Sequence, residues 1–338
     1  MTRPATPRLS IVVPCCNEEA VIKETARRLQ QVAGGLRLSH EIIFVDDGSR
    51  DRTFEILRGI QAASRTVRVI RLSRNFGQQV ATTAGLARAA GDAVVLIDAD
   101  LQDPPEVISE LVERWREGWD VVYAVRAKRA GETLFKRLTA RLFYRLINVV
   151  STTPIPVDTG DFRLMDRKVV DALLAMPERD RLLRAMVSWV GFRQTGVTYS
   201  RAERLHGKTK YPLSRMIRLA ADGVLSFSVA PLKLATVLGF ASCAVAAVGA
   251  AAAVWKRVWM NESLMGWIGL FLAVLFLGGV QLICLGIIGA YLGRTYGEVK
   301  HRPLYLVQER LGFPGLPVRR TTRSTAAGPS RRTGGVAD

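Results

Sequence analysis

Two long apolar runs in the last third of the chain constrain its fold more than any other feature. Leu232–Val254 contains one charged residue, Lys233, and Leu264–Leu292 contains none. Each run exceeds the ~20 residues that a helix needs to cross a bilayer. The sequence therefore predicts two transmembrane helices, at 231–255 and 264–292, and disfavours a chain that folds as one soluble domain.

The charge balance predicts on which side of the membrane the other residues lie. With 48 Lys and Arg against 30 Asp and Glu, the formal net charge is +18, which suits nucleic acid or an anionic membrane surface. The basic residues lie beside the apolar runs without interleaved aromatic platforms, so we expect the membrane and no nucleic acid. The flanks Arg201–Arg218 and Arg294–Arg302 outweigh the basic residues of the loop between the runs. The positive-inside rule then predicts that both termini are cytoplasmic.

Short apolar runs alternate with helical spacings through the first 125 residues. The predicted strands are Leu9–Val13, Glu41–Asp46, Val67–Leu72, Ala93–Asp98 and Val121–Val125. The predicted helices between them are Ala20–Ala33, Thr53–Ala63, Gln78–Ala90 and Pro104–Glu117. Continuous apolar strands that alternate with helices predict an α/β domain with a mostly parallel sheet, covered by helices on both faces.

Two amphipathic segments separate this pattern from the apolar runs. Thr133–Val150 carries leucines on one helical face and basic residues around the others, which is typical of a helix at an anionic membrane surface. A core-facing helix of a soluble domain is the alternative. Leu213–Val229 is a weaker second candidate, so we predict interfacial helices at 133–150 and 213–230. From Gly315 onward the composition predicts a disordered basic tail, preceded by a cytosolic segment at 293–314.

Polar side chains follow three of the predicted strands. Asn17 follows the first strand, Asp46 and Asp47 end the second, and Asp98 with Asp100 ends the fourth. Ligands of open α/β sheets bind outside the carboxyl ends of the strands. Two carboxylates spaced i, i+2 can share a divalent cation, which would stabilise a nucleotide diphosphate as a leaving group. An Asp-x-Asp pair alone could equally be an acidic turn, but three such clusters favour a binding site.

Six segments between Leu9 and Tyr211 together resemble family 2 glycosyltransferases of the Rossmann-like GT-A fold. They are SIVVPCCNEE, FVDDGSRDRT, RNFGQQVATTAGLARAAGD, LIDADLQDPPEVI, DTGDFRLMDRKVV and RLHGKTKY. The resemblance is to the polyprenyl-phosphate group, which includes bactoprenol glucosyl transferases, dolichyl-phosphate mannose synthases and undecaprenyl-phosphate aminoarabinose transferases. It implies a catalytic domain at 1–212, a bacterial inner-membrane location with that domain in the cytoplasm, and a possible homo-tetramer.

The resemblance also implies a donor site with Mg²⁺ or Mn²⁺. The nucleotide-binding residues would be Pro14, Cys16, Asn17, Glu18, Asp47, Asp98, Ala99 and Asp100. Asp100, Gln102 and Asp98 would contact the metal. Cys16 departs from the family, which usually has an aromatic residue at this position, so base stacking must be weaker or supplied elsewhere.

An acceptor site for a lipid phosphate is implied in the same way. The residues assigned to catalysis are Asp100, Arg126, Lys136, Arg204 and Lys210, and those assigned to the acceptor phosphate are Arg126, Lys136, Arg137, Arg204 and Lys210. A phosphomonoester is already anionic, so it needs cations that aim its oxygen at the sugar more than it needs a general base. Attraction to lipid headgroups is the alternative role for these cations. For Asp161 we expect a structural salt bridge, for example with Arg163.

The predicted reaction is the inverting transfer of one sugar from a nucleotide diphosphate sugar to undecaprenyl phosphate or another polyprenyl phosphate. UDP-glucose is the first candidate donor, ahead of other UDP-sugars and GDP-mannose. A processive polysaccharide synthase is disfavoured because the chain has no Q-x-x-R-W motif. A dinucleotide oxidoreductase is disfavoured because no G-x-G-x-x-G follows the first strand. A non-catalytic membrane subunit that binds lipid phosphate stays open.

Overall fold

The computed structural model describes residues 7–126, 159–200, 230–259 and 267–313. Within these ranges the chain forms one eight-stranded sheet, with the strands β1 Arg8–Cys15, β2 Ser39–Asp46, β3 Val67–Leu72, β4 Ala93–Leu96, β5 Val121–Arg126, β6 Thr159–Asp166, β7 Gln194–Tyr199 and β8 Val307–Leu311. The helices in the same ranges are α1 Ile22–Gly35, α2 Thr53–Ala63, α3 Gln78–Leu86, α4 Ile108–Arg116, α5 Arg167–Ala175, α6 Leu183–Trp189, α7 Ala230–Trp259 and α8 Trp267–Val299.

The sheet is mixed, with the strand order β7-β5-β6-β4-β1-β2-β3-β8. Strand β1 pairs in parallel with β2 and β4, and β2 pairs in parallel with β3. Strands β5 and β7 are also parallel, whereas β6 runs antiparallel between β4 and β5. The predicted α/β domain with a mostly parallel sheet is therefore confirmed, and the carboxyl ends of β4, β1 and β2 lie side by side.

Helices cover both faces of the sheet, which explains the continuous apolar strands. Ile11 and Val13 of β1 belong to the core beneath α1, α2 and α4, whereas Val12 faces α3 on the other side. All three side chains are fully buried. Gly85 lets α3 approach β1 closely, because a Cβ at this position would collide with the side chains of Val12 and Val45.

Strand β4 ends two residues earlier than predicted, at Leu96 instead of Asp98. The last bond between β4 and β1 runs from the Ile97 amide to the Val12 carbonyl. In a parallel ladder the next bond would need an N–H at Pro14, which has none. The chain therefore leaves the sheet at Ile97, and Asp98 follows in a loop at the sheet edge.

Other element boundaries differ by a few residues. Helix α1 begins at Ile22 rather than Ala20, and α3 ends at Leu86 rather than Ala90. The predicted helix Pro104–Glu117 divides into a 3₁₀ turn, Pro105–Val107, and α4.

A strand in the predicted cytosolic segment 293–314 joins the sheet, which the sequence interpretation missed. Strand β8 pairs antiparallel with β3, and the Ser73 amide donates to the Leu306 carbonyl at 2.9 Å. Arg58 of α2 contacts Glu309 of β8 at 3.1 Å. Residues from beyond the apolar helices therefore complete the edge of the sheet.

Both apolar runs are helical, as α7 with 30 residues and α8 with 33. In the described part of the chain, Phe276–Val299 is long and apolar enough to cross a membrane, and Ala235–Gly249 is a shorter apolar stretch. Arg294 of α8 contacts Asp180 of the loop before α6 at 3.1 Å. The predicted interfacial helices at 133–150 and 213–230 and the tail at 315–338 lie outside the described residues.

Candidate active site

The loops that follow β1 and β2 are bonded to each other. The Asn17 amide donates to the Ser49 hydroxyl at 3.0 Å, and the Arg50 amide donates to the Asn17 side-chain oxygen at 2.9 Å. Asn17 has a φ of +56°, a left-handed conformation that Asn tolerates better than most residues. The Glu18 amide donates to the Thr53 hydroxyl at 2.8 Å. These bonds fix two of the predicted nucleotide-binding residues, Asn17 and Glu18, at the sheet edge.

Asp47 anchors the loop that precedes α3. Its side chain is buried, and its two carboxylate oxygens accept the amides of Phe76 at 2.7 Å and Gly77 at 2.9 Å. The neighbouring Gly48 has a φ of +66°, and a Cβ there would collide with the backbone at Arg74. Asp47 therefore has a structural role that the sequence did not reveal, and its contact with a base stays a prediction.

The first predicted strand end contributes two residues with little reactive surface. Pro14 is buried within β1. Cys16 is half-buried, and its Sγ accepts a hydrogen bond from the Asn75 amide group at 3.2 Å. Burial is the main factor that raises the pKa of the Cys16 thiol, so the group is a neutral neighbour of any ligand rather than a nucleophile.

Asp98, Ala99 and Asp100 form a tight loop at the edge. The Thr25 hydroxyl donates to the Ala99 carbonyl at 2.7 Å. The Gln102 amide donates to Asp100 Oδ1 at 3.1 Å. Between them Leu101 has a φ of +57°. The loop therefore holds the two half-buried carboxylates at the edge of the sheet, next to the start of α1.

Asp98 is the electrostatic centre of this loop. Its Oδ1 accepts a hydrogen bond from Gln78 Nε2 at 2.7 Å. Burial raises the pKa of Asp98 to about 7, with further contributions from the nearby carboxylates of Asp161, Asp100 and Asp103 and an opposing one from Arg126. The loop therefore carries more negative charge than its surroundings stabilise, which a divalent cation would neutralise.

The donor atoms at this loop fit a divalent cation in part. Gln102 is 2% exposed, and its Nε2 has no hydrogen-bond partner in the described part of the chain. A half-turn of the amide would present its oxygen instead. Within the described ranges no group of three His, Cys, Asp or Glu side chains is arranged to hold a metal ion. A cation here would take one or two ligands from Asp98, Asp100 and Gln102 and complete its shell with phosphate and water oxygens, as Mg²⁺ usually does.

Arg126 lies at the end of β5 beside the same loop. Its Nε donates to the Tyr199 hydroxyl at 3.4 Å, and Tyr199 in turn donates to Asp103 Oδ1. Arg126 Nη2 lies 3.9 Å from Asp103 Oδ2. Burial and the bond to Asp103 raise the pKa of Tyr199 to about 12, so this hydroxyl keeps its proton at neutral pH.

Asp161 forms the salt bridge expected for it, although its shorter ion pair is with a residue that the sequence interpretation did not single out. Arg184 Nη2 lies 3.2 Å from Asp161 Oδ1, whereas Arg163 lies 4.0 Å away. Gln79 Nε2 donates to the other carboxylate oxygen at 3.0 Å. Arg163 is buried, and this burial lowers its pKa to about 10.

The other predicted acceptor ligands, Lys136, Arg137, Arg204 and Lys210, lie outside the described residues. Sequence interpretation also missed several residues that the fold brings to this edge: Gln78, Gln79, Arg184 and Tyr199. The paired glutamines could have been found, because they begin the helix after β3 and lie in one of the six segments that carry the family resemblance. Tyr199 and Arg184 could not, because β7 and α6 were not predicted.

The matched family and relatives decide the class of protein. Residues 10–174 match the family model described as glycosyl transferase family 2. The chain is 50% identical over 304 residues to the glycosyltransferase YkcC of Bacillus subtilis, which covers 90% of this chain and 94% of that protein. The chain belongs to glycosyltransferase family 2. It is an enzyme of the glycosyltransferase class, and its α/β domain is the GT-A fold of that family.

This family 2 glycosyltransferase has two further similarities to known proteins. It is 40% identical to a prophage bactoprenol glucosyl transferase homolog of Escherichia coli K12, over 89% of this chain and 98% of that protein. Among solved structures it is similar to glucosyl-3-phosphoglycerate synthase of Mycobacterium tuberculosis in complex with Mn²⁺ and UDP-glucose. That similarity has a TM-score of 0.44 and 22% identity, over 65% of this chain and 78% of the other. The Mn²⁺ and UDP-glucose are properties of that protein.

Proposed function

We propose that this glycosyltransferase transfers one sugar from a nucleotide diphosphate sugar to a polyprenyl phosphate at a bacterial inner membrane. Undecaprenyl phosphate is the proposed acceptor and UDP-glucose the first proposed donor, with GDP-mannose as the alternative. The observation that carries the proposal is the meeting of the Asp98–Asp100 loop and Arg126 at one edge of the sheet. A metal–diphosphate complex and an anionic acceptor need these opposite charges side by side.

The loops after β1 and β4 would bind the nucleotide-sugar donor. Asn17 and Glu18 would contact the nucleotide, and Asp98 and Asp100 would face its diphosphate through Mg²⁺ or Mn²⁺. The cation, when bound, neutralises the diphosphate as it leaves. Buried Gln102 would add an oxygen ligand beside Asp100.

The acceptor half needs a positive charge rather than a base. One phosphate oxygen of the polyprenyl phosphate attacks the anomeric carbon and forms the new C–O bond. The bond from that carbon to the nucleotide's diphosphate breaks, and the nucleoside diphosphate leaves with the electron pair, so the configuration inverts. The attacking oxygen is already anionic and has no proton to lose. Arg126, with Lys136, Arg137, Arg204 and Lys210, would hold it in line.

Three observations support a lipid acceptor in particular. The bactoprenol glucosyl transferase homolog of Escherichia coli aligns over 98% of its length. The stretch Phe276–Val299 is suited to a membrane. Strands β3 and β8 lie in one sheet on either side of α7 and α8 in the sequence. Any membrane crossings between these strands must be even in number, which supports two spans. The positive-inside rule supports the cytoplasm as the side of the catalytic domain and both termini.

Incubation of the purified full chain with a panel of labelled UDP- and GDP-sugars tests the proposal. Each donor is supplied with and without undecaprenyl phosphate, and with Mn²⁺ or EDTA. We expect label to enter the lipid phase from one donor, to require the acceptor and to disappear in EDTA. Absence of transfer from every donor, by protein whose folding is verified by circular dichroism, contradicts the proposed function.

A further inference from the structure

The Arg126 guanidinium is held by three residues that the sequence analysis did not assign to the acceptor site. Tyr199 lies on β7, Gly160 on β6 and Asp103 in the segment after β4. Arg126 Nε donates to the Tyr199 hydroxyl at 3.4 Å, and that hydroxyl donates to Asp103 Oδ1. Arg126 itself is one-third exposed, whereas Tyr199 and Asp103 are 6% and 1% exposed. A partly exposed cation therefore rests on a buried polar support.

The Tyr199 hydroxyl is suited to join these two side chains because it can accept and donate at once. It accepts from Arg126 and donates to Asp103, so both of its functions are used. Its ring packs edge-on against Phe162, with the ring centroids 6.0 Å apart, which fixes where the hydroxyl lies. The bond uses Arg126 Nε, so Tyr199 occupies neither of the Nη donors, and donors of this kind suit a phosphate.

Gly160 supplies the space that this arrangement needs. A Cβ at Gly160 would lie 2.8 Å from Arg126 Nη2 and 3.4 Å from Arg126 Cζ. The guanidinium therefore lies directly against the backbone of β6, and any larger residue would displace it.

Asp103 connects this support to the donor loop. It follows Gln102 directly, five residues after Asp98, and Arg126 Nη2 lies 3.9 Å from its second carboxylate oxygen. The position of the cation is thereby tied to the segment that would face the diphosphate. In-line displacement depends on this spacing, because small misplacements of reacting groups cost large factors in rate.

We propose that Tyr199 and Asp103 are positioning residues that aim the Arg126 guanidinium at the acceptor phosphate and set its distance from the donor loop. The proposal rests on the proposed function and adds two residues to its acceptor half. Tyr199 acts through Arg126 and does not touch the substrate. Its removal should therefore weaken use of the acceptor and leave use of the donor nearly unchanged.

The test compares Tyr199→Phe with wild type and with Tyr123→Phe. The Phe variant keeps the ring against Phe162 and removes the hydroxyl alone. Tyr123 lies on β5, next to β7, and its hydroxyl makes no hydrogen bond with the described residues, so it is the matched control. Initial rates are measured with UDP-glucose and undecaprenyl phosphate in detergent micelles, each substrate varied in turn.

We expect Tyr199→Phe to raise the KM for undecaprenyl phosphate about tenfold or to lower kcat/KM for it by that factor, since a hydrogen bond to a charged group is lost. The KM for UDP-glucose should change less than twofold, and Tyr123→Phe should match wild type in both. Gly160→Ala, which displaces Arg126 without touching Tyr199, should reproduce the acceptor defect.

Two results overturn the positioning role. One is an acceptor KM and kcat equal to wild type in Tyr199→Phe. The other is an equal rise in the KM values of donor and acceptor, which would indicate a general structural defect. Transfer by the wild-type protein in the same assay tests the proposed function separately. A Tyr199→Phe variant with wild-type kinetics therefore contradicts the positioning role and leaves the proposed function standing.

Discussion

At the scale of single residues, the proposed metal site depends most on the side chain of Asp100. It is half-buried, and within the described residues its carboxylate accepts the Gln102 amide at 3.1 Å. The oxygen of an Asn side chain can still accept that bond. Asp100→Asn should therefore fold normally and lower metal-dependent transfer about 10²–10³-fold, the factor typical of losing one group that stabilises transition-state charge.

Asp171→Asn is the matched control for this variant, because it removes an exposed carboxylate of α5 that pairs with Arg167. It should retain wild-type transfer. Transfer rates are measured at several Mn²⁺ concentrations for both variants. Wild-type rates in Asp100→Asn at every concentration would remove Asp100 from the metal site.

Asp47, unlike Asp100, makes contacts that stabilise the fold. Both of its carboxylate oxygens accept backbone amides, from Phe76 and Gly77. Asp47→Asn leaves one of these amides facing an N–H group, so we expect a loss of about 1–3 kcal/mol in unfolding free energy. Thermal unfolding in detergent should show a Tm several degrees lower than that of wild type or Asp171→Asn. An unchanged Tm would show that the two bonds contribute nothing to stability.

At the scale of elements, the apolar strands were predictable and the interrupted ones were not. Strands β1 to β5 and helices α1 to α4 follow from apolar runs and helical spacing, because burial on both faces requires unbroken apolar sequence. Strand β6 was missed because Gly160, Asp161 and Arg163 interrupt its apolar pattern. Arg163 is nonetheless buried, with its guanidinium donating to the Gly160 carbonyl at 2.9 Å.

Some residues of the candidate site were likewise predictable from the sequence, and others were not. Asn17, Asp98 and Asp100 were predictable, because polar residues after buried strands meet at one edge of a parallel sheet. The support of Arg126 was not, since Tyr199 comes to this edge through the parallel pairing of β7 with β5. Sequence spacing alone carries no signal of that pairing, because 73 residues separate the two side chains.

Strand β8 provides a prediction at this scale. Truncation after Tyr305 removes β8 and exposes the edge of β3, which loses its ladder with residues 307–311. We expect a lower Tm and increased aggregation of this variant, since an open edge strand is a template for pairing with other chains. Truncation after Pro317 keeps β8 and should leave both Tm and transfer rate close to wild type.

The comparison of these two truncations distinguishes the contribution of β8 from that of the tail after Pro317. A large loss of transfer in the Pro317 truncation would show that the basic tail is functional. Equal Tm values for the Tyr305 truncation and wild type would show that β8 adds nothing to the stability of the sheet.

At the scale of the whole molecule, β8 limits the proposed topology to an even number of membrane crossings. It pairs with β3, so the residues after α8 lie on the same side as the residues before α7. Fusion of alkaline phosphatase after Asp338 should therefore give an inactive reporter, because this enzyme needs disulfides that form outside the cytoplasm. A green fluorescent protein at the same position should fluoresce. Active phosphatase at this position would mean an odd number of crossings and contradict the proposed topology.

The C-terminal part of α8 also lies against the α/β domain. Helix α8 contacts the catalytic domain through Arg294 and Asp180, and the Arg179 amide donates to Glu298 at 2.8 Å. The α/β domain is thus held against the helix proposed to cross the bilayer, where a polyprenyl lipid would present its head group.

The proposed acceptor is a lipid phosphate, and a comparison of two acceptors with the same hydrocarbon chain tests this proposal. Purified full-length protein is given labelled UDP-glucose and Mn²⁺ with either undecaprenyl phosphate or undecaprenol, and label in the lipid phase is counted. We predict transfer to the phosphate alone, because Arg126 would bind an anion and the site would need a base to deprotonate an alcohol. Equal transfer to undecaprenol, or transfer to the alcohol and none to the phosphate, would contradict it.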